Sequence, residues 1–306
     1  MDLADNARGE SLRAAVEALY GRFQSGGLTS DDLIDLESLV PPDNSPVVSR
    51  LVADPERFEK QFGDFKKSYE IFRLFGEGET VLDVGAHWGY SALAMRHQGC
   101  RANIVSIEAM PFHRPPLERL RELAGGWYDY VNVAATDVPQ RLTFYVPVVN
   151  RKLVGGLSST GGTLLPSMAM LIARRAGDFP PLSEGAPDEV KFARIEVAGL
   201  PIDDVVKALG ASRQQVAAIK MDVEGHEEAA LRGARHLLTT RRPVLMVEGG
   251  MRPPVRAVIQ EYGYIRAARV EGQLVRWDGH AKQSDTYWFH PDTIEELRGR
   301  GLVPRS

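Results

Sequence analysis

Apolar positions along the chain fall into two textures. Over residues 1 to about 75 they recur at helical spacing: Leu12, Val16, Leu19, Tyr20 and Phe23, then Leu33, Leu36, Leu39 and Val40. PPDNSP at 41–46 breaks the chain, and RFEKQFGDFKKSYEIFRLF supplies a third helical segment. From about residue 80, short β-rich runs alternate with helical ones. TVLDV precedes a helix from about Ser91, and NIVSIEA precedes one from about Pro115. YVNVAA and LTFYVP follow, then VAAIKMDV with its helix and PVLMVEG with another from about Pro253. Continuous apolar runs are characteristic of parallel strands buried on both faces. Their alternation with helices predicts an α/β protein built on a doubly wound, mostly parallel sheet. ARVEGQLVRWDG reads as a hairpin and DTYWFHP as a last strand, which gives the sheet an antiparallel edge.

This pattern divides the chain into an N-terminal helical extension, 1–65, and a main domain, 66–300. Residues 147–192 interrupt the rhythm with two GG pairs, SST, the short apolar helix LLPSMAMLIARRA and the polar run FPPLSEGAPDE. Insertions of this kind in α/β enzymes sit beside the strand ends and act as lids, or they are surface loops. The closing GLVPRS at 301–306 reads either as the remnant of a protease-cleavable linker or as native sequence.

Composition narrows the choice of partner. A formal net charge of −4 over 306 residues provides no broad basic surface for nucleic acid or anionic lipid. The single cysteine, Cys100, rules out an internal disulfide and a cysteine-rich zinc site. No window approaches the roughly 20 apolar residues that span a bilayer. The acidic, polar start MDLADNARGESLRAAVEALY lacks the apolar core of a signal peptide. The expectation is a soluble, cytoplasmic protein.

The first strand ends in VLDVGAHWGYS, residues 81–91, a glycine-bearing turn ahead of a helix. Gly85 and Gly89 permit backbone conformations and approaches that a Cβ forbids, and such a turn leaves N–H groups facing a ligand. The dinucleotide fingerprint needs glycine at its third and sixth positions, where this chain has His87 and Tyr90. Asp83, at the strand's end, suits a ligand with positive charge. Glu108 closes the next strand, 23 residues after Gly85, where an acid can accept hydrogen bonds from a ribose diol. An adenosyl ligand with a cationic tail fits these features, and S-adenosylmethionine is such a ligand.

VLDVGAHWGYS, IVSIEAMP, VNVAATD and above all IKMDVEGHEEAALRGA followed by RPVLMVEG resemble the signature of the FkbM-type methyltransferases over residues 66–250. The resemblance implies a Rossmann-like fold, S-adenosylmethionine as cofactor, and O-methylation of a hydroxyl on a sugar, polyketide or similar secondary metabolite. It places Asp83, Gly85, Ala86, His87, Gly89 and Ser91 at the cofactor loop and Glu108 at the ribose. Asn132 and Asp137 fall where the adenine edge is read. His87 stands where the family usually carries Asn. GGLSS at 155–159 resembles a Ser-bearing element, which makes Ser158 and Ser159 substrate-binding candidates.

Asp222, Glu224 and His226 crowd the exit of the fourth strand, where ligands bind in an open α/β sheet. A hydroxyl is a weak nucleophile until its proton begins to leave, so a base or a metal must meet it. His226 is a proton acceptor near neutral pH, and Asp222 either orients that imidazole, stabilises its cation or accepts the proton itself. The same acids could instead cap the following helix, the reading taken for Glu227 and Glu228. Glu248, ending MVEGG, projects into the same cleft as a substrate-binding candidate. With Asp222 and Glu224 it could cage Mg²⁺, although no metal site is expected. His97 and His236 read as surface or packing residues, and His290 as core or pocket. Leucines in 33–40 could serve a homodimer contact. The competing classes are a nicotinamide-dependent oxidoreductase and a non-catalytic binding protein on the same fold.

Overall fold

The computed structural model describes residues 3–39, 43–154, 169, 172–174, 176–183, 186–210, 213–270, 273–276 and 285–299. Ser158, Ser159, Val40, most of the helix expected over 164–176, and 301–306 lie outside the described residues. The chain divides into two compact units, one formed by Met1–Pro42 with Arg141–Val197, the other by Asp43–Gln140 with Ala198–Ser306.

The larger unit follows the strand–helix alternation. Its elements are α1 (Ser45–Ala53), α2 (Pro55–Lys67), β1 (Thr80–Val84), α3 (Tyr90–His97), β2 (Asn103–Ile107), α4 (Arg114–Leu123), β3 (Tyr128–Val131), α5 (Ile202–Ala208), β4 (Val216–Met221), α6 (Glu227–Arg232), α7 (Arg235–Thr240), β5 (Val244–Glu248), α8 (Pro253–Glu261), β6 (Ile265–Val270), β7 (Gln273–Arg276), β8 (Asp285–Phe289) and α9 (Pro291–Gly299). The strands form an eight-stranded sheet in the order β7-β6-β8-β5-β4-β1-β2-β3. Strands β3, β2, β1, β4 and β5 run parallel, and β8, β6 and β7 pair antiparallel beyond them. The expected mostly parallel sheet with an antiparallel edge is thus present.

Every residue of β1 is buried, as are the last four of β2 and of β4. A strand covered on both faces has no polar alternation, which is why these runs read as continuously apolar. Two clusters cover the two faces. One gathers Val48, Leu51, Phe58, Phe72, Met95, Leu117 and Leu120, and the other Ile202, Leu231, Leu238, Val258 and Ile259. Fully burying one such side chain is worth about 1.5–3 kcal/mol. Cys100 sits in the first cluster, 1 % exposed, and burial pushes its thiol up to about 11.

Helices α1 and α2 belong to this unit, which begins at Asp43 and so takes in the last part of the segment 1–65 expected to be a separate extension. Phe58 stacks on His97 at 4.3 Å and Phe62 lies 4.7 Å from Tyr90. These contacts hold α2 to α3 and confirm His97 as a packing residue. His290 likewise packs edge-on against Tyr264 at 5.8 Å.

The smaller unit is built around the helix Leu3–Gln24, whose Leu12, Val16, Leu19 and Tyr20 bury against Val149, Ile172, Phe179 and Phe192. Its strands lie in the order Leu33–Ile34, Val190–Leu200, Gln140–Val149, Lys152–Leu153. The LTFYVP run is therefore part of this second sheet and not of the doubly wound one. A partly buried polar knot fixes the unit: Asp188 accepts from Arg8 and from Asn150 Nδ2 at 2.6 Å, while Asn150 also takes the Glu189 amide at 2.8 Å. Burial would raise the Asp188 carboxyl, but the Arg8 and Asn150 bonds and the Arg8 charge outweigh it and hold it low.

Leu33, Leu36 and Leu39 do not form an α-helix. Two 3₁₀ turns, Ser30–Asp32 and Leu36–Ser38, flank the short strand. Leu33 packs on the unit's own core and Leu39 is buried, so neither is an exposed dimer contact.

Candidate functional site

The sheet order reverses direction at β1, with β2 and β3 on one side and β4 and β5 on the other. A crevice at the carboxyl ends of the strands follows from that reversal, and ligands of open α/β sheets bind there. The turn after β1 is shaped by two glycines. Gly85 has φ +78° and donates its amide to Ile107 O at 2.8 Å. A Cβ on it would lie 1.7 Å from the Asp222 carbonyl oxygen. Gly89, at φ +86°, N-caps α3. Between them His87 adopts φ +53°, a conformation that costs a non-glycine residue about 1 kcal/mol and is kept where the surroundings impose it.

Asp83 is fully buried. Its Oδ2 accepts from Ser91 Oγ at 2.6 Å and Ser106 Oγ at 3.2 Å, and its Oδ1 lies 3.3 Å from Lys220 Nζ. Asp83 thus lies beneath the loop, inside the sheet, with its charge already matched. Ala86 is buried in the same loop.

Glu108, 6 % exposed at the end of β2, accepts the amides of His87 and Met110 at 2.8 Å each and pairs with His113 Nδ1 at 3.2 Å. Burial alone would raise its pKa. The His113 bond and charge and the two amides reverse that and hold the carboxyl below the ordinary glutamate range. Three of the roughly four acceptor directions of a carboxylate are therefore occupied, which leaves one for a ligand hydroxyl instead of the two expected from the sequence.

The His87 ring sits 4.1 Å from His113 and 5.2 Å from Trp88. Burial, and then the neighbouring His113, push its pKa down to about 3, so the imidazole is neutral at any physiological pH. Asn132 donates its side-chain amide to Glu108 O at 2.6 Å and fastens the β2 exit. Asp137 is exposed, and its Oδ1 accepts its neighbour Val138's amide at 3.0 Å, the geometry of a turn cap.

Beyond β4 the structure brings together three acids: ligand oxygens of Asp222, Glu224 and Glu248 lie within 4.8 Å of one another. That spacing would admit a divalent cation, and the same carboxylates suit a hydroxylated acceptor. Glu224 stands at φ +50° and is followed by Gly225 at φ +97°. Glu224 is exposed at its surface, yet partial desolvation, then the charges of Asp222 and Glu227, raise its carboxyl to about 7.

His226 is the N-cap of α6 and makes no side-chain cap bond there. Burial lowers its pKa, and the charges that act against this are those of Glu227 and Asp137.

Two residues organise this corner, one expected only to cap a helix and the other not singled out by the sequence. Glu227 is fully buried. Its Oε1 accepts the amides of Gly225 at 3.2 Å and Val223 at 3.4 Å, and its Oε2 pairs with Arg252 at 3.0 Å. It clamps the loop carrying the acids to the turn after β5, a larger task than the capping expected of it. Glu228 only pairs with Arg232 on the helix surface. The second residue, Lys220, has its ammonium 2.8 Å from Gly85 O. The sequence signal for both was slight: a lysine inside the apolar run AIKM, and one acid among several.

These features define a Rossmann-like protein with a ligand crevice at the β1 and β4 exits. Residues 83–266, more than half of the chain, match the Methyltransferase FkbM domain, and the protein belongs to that family of methyltransferases. Its structure is similar to that of the methyltransferase FkbM from Methylobacillus flagellatus KT, at 17% identity and a TM-score of 0.41, covering 71% of this chain and 44% of that one. This chain thus spans less than half the length of that relative. It is also similar to a precorrin-6y C5,15-methyltransferase from Geobacter metallireducens GS-15, with 8% identity, TM-score 0.37, and coverage of 83% and 94%. An O-methyltransferase from Bacillus cereus in complex with SAH shows 12% identity, TM-score 0.33, and coverage of 82% and 92%. No curated protein matches the chain. No helix among the described residues is long and apolar enough to cross a membrane.

Proposed function

We propose that the protein is an S-adenosylmethionine-dependent O-methyltransferase whose acceptor is a hydroxyl of a small molecule such as a sugar or polyketide. The observation that supports it most is the convergence of Asp222, Glu224 and Glu248 at the β4 and β5 exits, with Glu224 held near neutrality. A base is most effective when its pKa is close to the working pH.

The residues present fit the cofactor. Gly85 and Gly89 let the β1 turn fold tightly against Asp222 and Leu120, and Glu108 retains one acceptor direction at the β2 exit. When bound, S-adenosylmethionine supplies an electrophilic methyl on a sulfonium. The neutral His87 imidazole adds no positive charge beside it. Asp222 and Glu248 accept hydrogen bonds from the acceptor's hydroxyls and fix their direction, and Glu224 takes the proton as the oxygen becomes nucleophilic. A net charge of −4 favours a small acceptor over nucleic acid.

Calorimetry with S-adenosylmethionine and S-adenosylhomocysteine should give micromolar dissociation constants, and label from the methyl donor should pass to a polyhydroxylated compound in a panel of acceptors. Stabilisation by NADH or NADPH, with neither sulfur compound binding, would replace this reading with an oxidoreductase.

A further inference from the structure

We infer that Lys220 is a positioning residue that ties the donor-holding loop after β1 to Asp222 on the acceptor side. The inference rests on the reading of the crevice as a methyl-donor site. In the parallel register Lys220 faces Asp83, and Asp83 faces Ser106, so the three form one polar row across the centre of an otherwise apolar sheet. The lysine is 4 % exposed and its ammonium has three partners. They are Gly85 O at 2.8 Å, Asp83 Oδ1 at 3.3 Å and Asp222 Oδ2 at 3.8 Å. The first is a hydrogen bond and the other two are charge contacts, so the ammonium holds the loop carbonyl directly and the two carboxylates by charge.

Each partner belongs to a different part of the crevice. Asp83 is the floor beneath the loop and also receives Ser91 from the first turn of α3. Gly85 begins the loop, and the carbonyl held by Lys220 belongs to the residue whose α-carbon is pressed against Asp222 O. Asp222 is one of the three clustered acids. One buried cation therefore sets the loop, balances the floor and aims a site carboxylate. Replacing it by an apolar core residue would make a simpler strand, because a buried ion pair is seldom a net gain in stability over a packed hydrophobic pair. The charge serves the geometry of the crevice.

Removing Lys220 alone would strand the Asp83 carboxylate, so the test neutralises both. Lys220→Met with Asp83→Asn should fold with a melting temperature close to that of the natural protein. It should bind S-adenosylhomocysteine about 10- to 100-fold more weakly, the loss that corresponds to one charged hydrogen bond. Lys220→Gln with Asp83→Asn keeps a donor that can reach toward Gly85 O, and it should recover part of that affinity at the same melting temperature. A residue that only filled space would show no difference between Met and Gln. Natural-level affinity in the Met variant would overturn the inference while leaving the methyltransferase reading intact. Failure of both double variants to fold would make Lys220 a stability element and overturn it too. An absence of binding by the natural protein would remove both readings.

Discussion

Gly85→Ala should abolish the folded larger unit or lower its melting temperature by more than 10 °C, corresponding to a cost above about 4 kcal/mol. The added methyl would stand 1.7 Å from the Asp222 carbonyl oxygen and 2.7 Å from its carbon. Both are backbone atoms, so no side-chain rotation relieves the overlap, and β1 and β4 would have to part. The φ of +78° adds a further strain of about 1–2 kcal/mol for a residue with a Cβ. Gly89→Ala is the control. Its φ is similar at +86°, but its Cβ would meet the end of the Leu120 side chain at 2.7 Å, which can turn aside. Thermal unfolding should rank the two variants clearly, and equal losses would show that strain outweighs the clash.

Glu224→Gln should lower turnover about 10²-fold or more, with donor affinity preserved. The pH dependence identifies the base. Glu224 accepts a proton only when ionised, so the rate of the natural protein should rise with pH through about 7, and the variant should lose that limb. His226 is held below its ordinary value, so a base there would place the limb below about 6.5 and leave Glu224→Gln with it intact. The stability effect has the opposite sense. A carboxyl whose folded pKa is raised contributes stability below about 4.5 that is lost as pH rises through about 7, and Glu224→Gln should flatten that slope. Retention of activity in EDTA is expected. A loss restored by Mg²⁺ would transfer activation of the hydroxyl from Glu224 to a cation among the three acids.

The parts that the sequence made legible were those encoded locally. TVLDV, NIVSI and VAAIKM are apolar without alternation because helices cover both faces of their sheet, and that pattern survives without knowledge of neighbours. The glycine turn was visible because Gly85 and Gly89 have few other uses at a strand–helix joint. LTFYVP was misplaced because a strand's composition does not say which sheet receives it. Leu33, Leu36 and Leu39 misled because a spacing of three also suits 3₁₀ turns.

The site's partnerships are of another kind. Lys220 faces Asp83 only once β1 and β4 are in register, 137 residues apart in the sequence. Glu227 finds its charge partner in Arg252, beyond the end of β5. Asp222 and Glu248 were expected to converge, since both end neighbouring parallel strands. His226 feels the charges of Glu227 and Asp137, the latter from a turn far away in the sequence.

The chain's single sulfhydryl gives the larger unit an internal clock for its own opening. Cys100 has almost no solvent contact and is held as an unreactive thiol, so a maleimide must wait for the surrounding layer to come apart. The rate at which label accumulates would then count excursions of the native protein, and a ligand that tightens the crevice should slow it.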